Sequence, residues 1–535
     1  MKNKTKMLAV CFAVLVTGLI VAACTGKTHG LKENESKAES NEKKEGTEMD
    51  EIKSKFDGIK LSDVIKPLTD HNPLMVQRFG ADPYALVYGG RVYIYMTGDD
   101  IMYNEDGSIK ENNYSNIYTI NVISSADLVN WTDHGTVYAA SDKGQATWGA
   151  NSWAPAAAYK NIDGKDKFFL YFANNGNGIA VLESDTPYGP FTDPIGGPLI
   201  SRQTPTCAEV AWLFDPAVLM DDDGSAYIYF GGGVPTPEMA ANPGTARVAK
   251  LGADMISLDG DPIPIENVAY LFEDSGINKI GGTYYYSYCS NFSMTPEAEK
   301  ELGYRNGEIV TMKSDNPMGP FEPANPVLAN PEHFFGRGGN NHHCMFEFNG
   351  TWYIAYHSRI LEEELKMEGG GYRSTNIDFI QFNENGEPCT SAGTRAGVPQ
   401  IGNLDPYETV AAVTLANASG IKTVQYGETA IKYGSGDMII TDIHDGSWTC
   451  VSGADFGNDG AKKVTVSLRG SGNGAIRVSI DYPNSNAVAY IPVNAPGAEF
   501  TEVSAELESE VTGVHSIFFT FVGEGYEMKE WKFER

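Results

Sequence analysis

Five stretches of the chain each begin with a residue able to do chemistry and run on into a hairpin of aromatic and β-branched residues. Asp82 precedes Pro83-Tyr84-Ala85-Leu86, Trp153 precedes Ala154-Pro155, Asp215 precedes Pro216-Ala217-Val218, Glu273 precedes Asp274-Ser275-Gly276, and His342 precedes His343-Cys344-Met345. Two carboxyl groups facing one pocket can divide acid–base work. One, protonated, hands its proton to a leaving oxygen; the other, ionised, activates water on the opposite face. A third carboxylate nearby keeps the first protonated by like-charge repulsion. A single Asp-Pro step is an ordinary turn, so the weight comes from the shared register of five repeats. Three acids, an indole and an imidazole at matching points are the equipment for hydrolysing a glycosidic bond. Asp274 follows Glu273 directly, and because neighbouring side chains on a strand point to opposite faces, only one of the two faces the pocket.

Such residues need a scaffold that brings five strand ends together. The turn glycines Gly90, Gly164, Gly224, Gly282 and Gly350 recur roughly 60–75 residues apart, room for about four strands per unit. A second repeat lies between them, in Ser125-Ala126-Asp127-Leu128, Ser184-Asp185-Thr186-Pro187 and Ser314-Asp315-Asn316-Pro317. Radial repetition of all-β units predicts a five-bladed β-propeller over residues 59–404, its innermost strands converging on a central axis. Asp221-Asp222-Asp223-Gly224 has the composition of a calcium loop, but its place between two strands makes it a hairpin turn. After Asp405-Pro406-Tyr407 the aromatic hairpins stop, while short alternating strands such as 463–468 and 476–480 continue. They predict a β-sandwich (jelly-roll) domain over residues 405–535.

The N-terminus reads as targeting rather than fold. Lys2, Lys4 and Lys6 precede an apolar run that ends in Val21-Ala22-Ala23-Cys24, so residues 1–23 resemble a lipoprotein signal peptide and Cys24 the lipidated first residue of an exported chain. Residues 24–58, rich in Lys, Glu, Ser and Asn, cannot bury enough surface to order and are expected to be a disordered tether. The expected location is the bacterial cell surface or envelope, with the protein held to the membrane by its lipid. A formal net charge of −30 argues against nucleic acid or another polyanion and suits a neutral partner. The scattered cysteines lack a CxxC spacing and are expected to be buried thiols.

The motifs Ala81-Asp82-Pro83-Tyr84, Asn151-Ser152-Trp153-Ala154-Pro155, Phe214-Asp215-Pro216, Phe272-Glu273-Asp274-Ser275-Gly276 and Asn340-Asn341-His342-His343 resemble, in order, those of glycoside hydrolase family 43. Within it the likeness is to arabinoxylan arabinofuranohydrolases, which carry a following β-sandwich. The resemblance implies an inverting enzyme that removes α-L-arabinofuranosyl branches from arabinoxylan or its oligosaccharides. Asp82 would be the general base, Glu273 rather than Asp274 the general acid, and Asp215 the residue that tunes and orients Glu273. Inversion would set the acid and base carboxyls roughly 6.5–9.5 Å apart. Trp153, Phe214, His343 and Arg373 would contact the sugar, Arg373 reaching either the sugar or a catalytic acid. His342 would neighbour a Ca2+ ion on the propeller axis, or else be a satisfied core histidine; no cofactor is required for the chemistry. The same acids serve β-xylosidases and arabinanases, and a non-catalytic glycan-binding lipoprotein is the alternative from another class.

Residues 405–535 resemble carbohydrate-binding module family 6, with departures. At two positions that hold calcium in relatives this chain has Val413 and Lys529, neither able to ligate the ion, so that site is expected to be empty. Phe500 and Trp448 are the candidate sugar platforms, and the domain is expected either to bind sugar or to brace the propeller.

Overall fold

The computed structural model describes residues 49–367 and 370–535. The signal peptide, Cys24 and tether residues 24–48 lie outside the described residues. Residues 49–54, expected to be part of the tether, are instead helical, and the compact unit of the chain starts at Lys55 and runs to Arg535. Phe56 is buried against Tyr490 and beneath Arg477, which corrects a tether boundary at 58: aromatic burial at Phe56 ends it earlier.

Among the described residues five antiparallel sheets follow one another before the sandwich begins. Their first strands are Ala81–Tyr88, Trp153–Ile162, Ala217–Met220, Leu271–Ile280 and His343–Phe348. Each turns back through a tight hairpin into a second strand rich in aromatics, as in Arg91–Thr97 and Thr283–Ser290. The turns need a left-handed residue, and Gly90, Gly164, Gly224, Gly282 and Gly350 supply it with φ of 75°, 79°, 81°, 89° and 77°. The first strands lie against one another in succession, and the first also lies against the fifth. Large side chains fill the spaces between sheets: Tyr95, Phe168 and Leu170 between the first and second, Tyr229, Tyr286 and Phe321 between the third and fourth. The first four sheets each have four strands of their own and the fifth three. Cys207, Cys289, Cys344 and Cys450 are buried free thiols and Cys389 a half-buried one.

The C-terminal residues form a six-stranded and a five-stranded sheet around a core that includes Val464, Val466, Ile476, Phe519 and Trp531. Val413 belongs to that core, and Lys529 ion-pairs with Glu530. The expected break at residue 405 is not a break in packing. Thr414–Leu415 pairs with Trp131–Tyr138 and so adds an outer strand to the first sheet. Beside it, Asp133 accepts from Arg78 Nε (3.1 Å) and from Thr423 Oγ1 (2.7 Å), and Asn130 exchanges two hydrogen bonds of 2.8 Å with the backbone of Ser452. Trp448 is fully buried, its indole N–H donating to the Ser62 carbonyl at 3.0 Å, so it is core and not a sugar platform. Phe500 is half-buried: the Arg469 guanidinium lies 4.9 Å from its ring centre and Tyr426 meets it edge-on. Because a shared sheet and buried side-chain pairs link the two regions, thermal unfolding of the protein is expected to give one cooperative transition. Two separated transitions in calorimetry would contradict this.

Candidate active site

The first strands open on a backbone device that recurs in four sheets. Asp82, Ala154, Asp215 and Asp274 all hold the left-handed conformation, with φ of 48°, 44°, 49° and 69°. In three of the sheets the pairing to the second strand slips at this point, between Ala81 and Tyr84, Trp153 and Ala156, and Glu273 and Gly276. Such bulges re-aim side chains and cluster at functional sites. They also revise the register read from sequence. Asp82, Asp215 and Asp274 occupy one level, and Trp153, Phe214 and Glu273 the level before it.

The strand ends surround a cavity of about 670 Å³ lined by Asp82, Trp153, Phe214, Asp215, Glu273, His342 and Arg373, with Tyr114, Asn175, Trp212, Phe272, Phe292 and Asn340 among the other walls. Trp153 is fixed by its indole N–H, which donates to the Tyr114 carbonyl at 3.0 Å. Phe214, Trp212, Phe272 and Phe292 form an edge-to-face chain from the buried floor to the surface, where Phe292 is 49% exposed.

The carboxyl groups are held in opposite states. Asp82 accepts from Thr97 Oγ1 at 2.6 Å and from Arg373 Nη1 at 2.8 Å, with His357 Nδ1 3.0 Å away. Burial opposes its ionisation, but the Arg373 guanidinium beside it outweighs burial and holds the carboxyl far below the usual carboxylate range. Arg373 is itself clamped by Asp99, which accepts from Nε, Nη2 and the backbone N–H, each at 2.9 Å. Glu273 is the reverse case. Burial, then the charges of Asp215, Asp82 and Asp274, push it well above its ordinary value, and its Oε1 has no hydrogen-bond partner. Burial raises Asp215 too; its Oδ2 accepts the Asp274 backbone N–H at 2.9 Å.

One expectation needs correction. His343 does not line this cavity. Its Nδ1 is 2.5 Å from Asp274 Oδ2 and its Nε2 2.8 Å from Ser287 Oγ, which hold the ring beneath the floor, against a second cavity of about 440 Å³ farther along the first strands. His342 does line the cavity, but its Nε2 is engaged by Asp274 Oδ1 at 3.0 Å, and among the described residues no three His, Cys, Asp or Glu side chains gather as a metal shell. Its other ring nitrogen, Nδ1, is left facing the cavity, 3.7 Å from Asp82 Oδ1. Arg373 lines the cavity as the partner of Asp82.

Sequence reasoning missed Thr97, Asp99 and His357. All three sit where a second strand ends, directly across the hairpin from a first strand's opening: Ala81 pairs with Thr97, and His343 with Tyr356 beside His357. Counting back across each hairpin would have found them.

Comparisons with known proteins give the family. A model of glycosyl hydrolases family 43 matches residues 71–388, and one of carbohydrate binding module (family 6) matches residues 411–535. The chain belongs to glycosyl hydrolases family 43. Its sheets are thus those of a β-propeller family followed by a β-sandwich, and catalysis in the family needs no cofactor. An arabinoxylan arabinofuranohydrolase of Paenibacillus polymyxa is 47% identical over 479 residues, covering 86% of this chain and 74% of that one. Another, of Bacillus subtilis (strain 168), is 45% identical over 488 residues, covering 88% and 93%. The crystal structure of a family 43 arabinoxylan arabinofuranohydrolase from Bacillus subtilis, in complex with cellotetraose, superposes with a TM-score of 0.83 at 44% identity, covering 88% of this chain and 99% of that one.

Because the Arg373 charge keeps Asp82 ionised, Arg373→Gln is expected to move the acid limb of the pH–rate profile upward by about one unit or more. Full activity loss aside, an unchanged acid limb in kcat/KM for the residual activity would contradict that role.

Proposed function

We propose that this protein is an inverting glycoside hydrolase that removes α-L-arabinofuranosyl side chains from arabinoxylan or its oligosaccharides. The observation that carries the reading is the pair of carboxyl groups driven in opposite directions across one cavity, Asp82 toward the ion and Glu273 toward the acid. Likeness over most of the chain to two arabinoxylan arabinofuranohydrolases supports the substrate.

The chemistry follows from those states. With arabinose in the cavity, Glu273 gives its proton to the glycosidic oxygen as the bond to the anomeric carbon breaks. Asp82 takes a proton from a water molecule, whose oxygen bonds to that carbon from the opposite face, inverting it. Asp215 accepts the Asp274 backbone N–H and so steadies the bulge that presents Glu273. Trp153 and Phe214 supply apolar walls. The aromatic chain out to Trp212 and Phe292 lies where the rest of the polysaccharide would pass.

We read the five sheets as the blades of a closed five-bladed propeller, a reading supported by the contact of its first strand with its fifth. The sandwich braces it, since Thr414–Leu415 extends the first sheet. The envelope location and the lipid anchor at Cys24 rest on the sequence of residues 2–24.

The test is proton NMR of arabinoxylan during the first minutes of digestion. β-Arabinose appearing before its α anomer, with the xylan backbone intact, is the expected result, and Glu273→Gln is expected to lower kcat on the polysaccharide by about a thousandfold or more. Free xylose as the first product, or α-arabinose appearing first, would overturn the reading.

A further inference from the structure

Asp274 does not line the catalytic cavity, yet it contacts three residues of the site, His342, His343 and Asp215. It is fully buried. Its Oδ1 lies 3.0 Å from His342 Nε2 and its Oδ2 2.5 Å from His343 Nδ1, and both oxygens accept from the His343 backbone N–H at 3.2 Å. Its own N–H donates to Asp215 Oδ2 at 2.9 Å, and its left-handed backbone, with φ of 69°, forms the bulge after Glu273.

A carboxylate only accepts hydrogen bonds, so the ring nitrogens facing it must carry hydrogens. His343 is therefore the Nδ1–H tautomer, and its Nε2 accepts from the Ser287 hydroxyl at 2.8 Å. His342 is the Nε2–H tautomer. Burial keeps its pKa below the ordinary value, so the ring is neutral and its Nδ1 presents a lone pair, 3.7 Å from Asp82 Oδ1 and 4.0 Å from Asp215 Oδ2. That atom is an acceptor between the two carboxyl groups that flank the reacting centre.

We propose that Asp274 is a positioning residue for the reaction: it fixes the tautomer and orientation of His342 beneath Asp82 and Asp215, and through its backbone it fixes Asp215 and the bulge that presents Glu273. The proposal rests on the hydrolase reading above and deepens it. Asp274 also acts by charge. The groups facing Glu273 are Asp82, Asp215, Asp274, Arg373, Tyr114 and Cys289, of which Arg373 opposes the acid form and the three aspartates favour it. Removing one negative charge beside Glu273 lowers its pKa, so the acid is lost at lower pH as the solution becomes alkaline.

Asp274→Asn is therefore expected to move the alkaline limb of the kcat/KM profile down by about one pH unit while kcat falls at least tenfold. His343→Gln breaks contacts to the same carboxylate without changing its charge, and is expected to leave the alkaline limb in place. A structural role alone predicts equal behaviour of the two variants, and an unmoved limb in Asp274→Asn overturns the proposal. A second readout does not need activity. In protein labelled with 15N at its nine histidines, long-range 15N–1H spectra assigned with His342→Gln are expected to show His342 as the Nε2–H tautomer in wild type and to lose that pattern in Asp274→Asn. His342 as the Nδ1–H tautomer or as an imidazolium near neutral pH would overturn the proposal even in a variant too weak to assay. If wild type releases no arabinose while the tautomer is as expected, the hydrolase reading fails and the positioning by Asp274 stands.

Discussion

The structure depends on an imbalance of buried charge. Asp82, Asp99, Asp215, Glu273 and Asp274 are all buried where the first strands meet, and Arg373 is the buried guanidinium among them. A charge taken out of water needs a partner, and a group without one gives up its charge instead. Arg373 reaches both Asp82 and Asp99 and is the cationic partner of each. Asp274 is satisfied by two imidazole N–H groups and a backbone N–H. Glu273 Oε1 receives nothing, and protonation is the cheapest way for it to remain inside. The division into base and acid thus follows from which carboxylate the single arginine can touch.

That placement requires unusual backbone. A regular strand would turn alternate residues away from the axis, so a strand end could present one functional side chain to the centre. The left-handed residue at the mouth of four sheets breaks the alternation. In the third sheet it lets the adjacent Phe214 and Asp215 both line the cavity, whereas in the fourth Glu273 lines it and Asp274 turns to the two histidines. The aspartates at three of the four positions suit this conformation better than most residues, because a short polar side chain tolerates it. Support for these strands comes also from the sandwich. The first sheet, which carries Asp82 and Thr97, is extended by a strand of the sandwich, and its Asp133 joins the two by accepting from Thr423 Oγ1.

Much of this was legible in the residues. The turn glycines marked the hairpins because only a residue tolerant of positive φ closes such turns, and the apolar runs on either side marked the strands. Asp82, Asp215 and Glu273 stood out as acids at repeated strand openings, and all three line one cavity. What stayed hidden was set by pairing and by the bulge. His357, Thr97 and Asp99 are brought in by the second strand of a hairpin, so their place depends on ladder register. His343 looked equivalent to its neighbour His342, but one step along the strand turned it to Asp274 and Ser287. The union of the two domains was hidden too, because Thr414-Leu415 and Thr423 carry no mark of their partners in the first sheet.

The central claim is that burial and like charge keep Glu273 protonated in the resting protein while Asp82 is ionised. The most direct measurement is the 13C chemical shift of the Glu273 carboxyl in protein labelled at glutamate Cδ, assigned by difference from Glu273→Gln and followed with pH. The account predicts one glutamate carboxyl that stays protonated well above the range in which exposed glutamates titrate. A Glu273 carboxyl that ionises with the surface glutamates would contradict it.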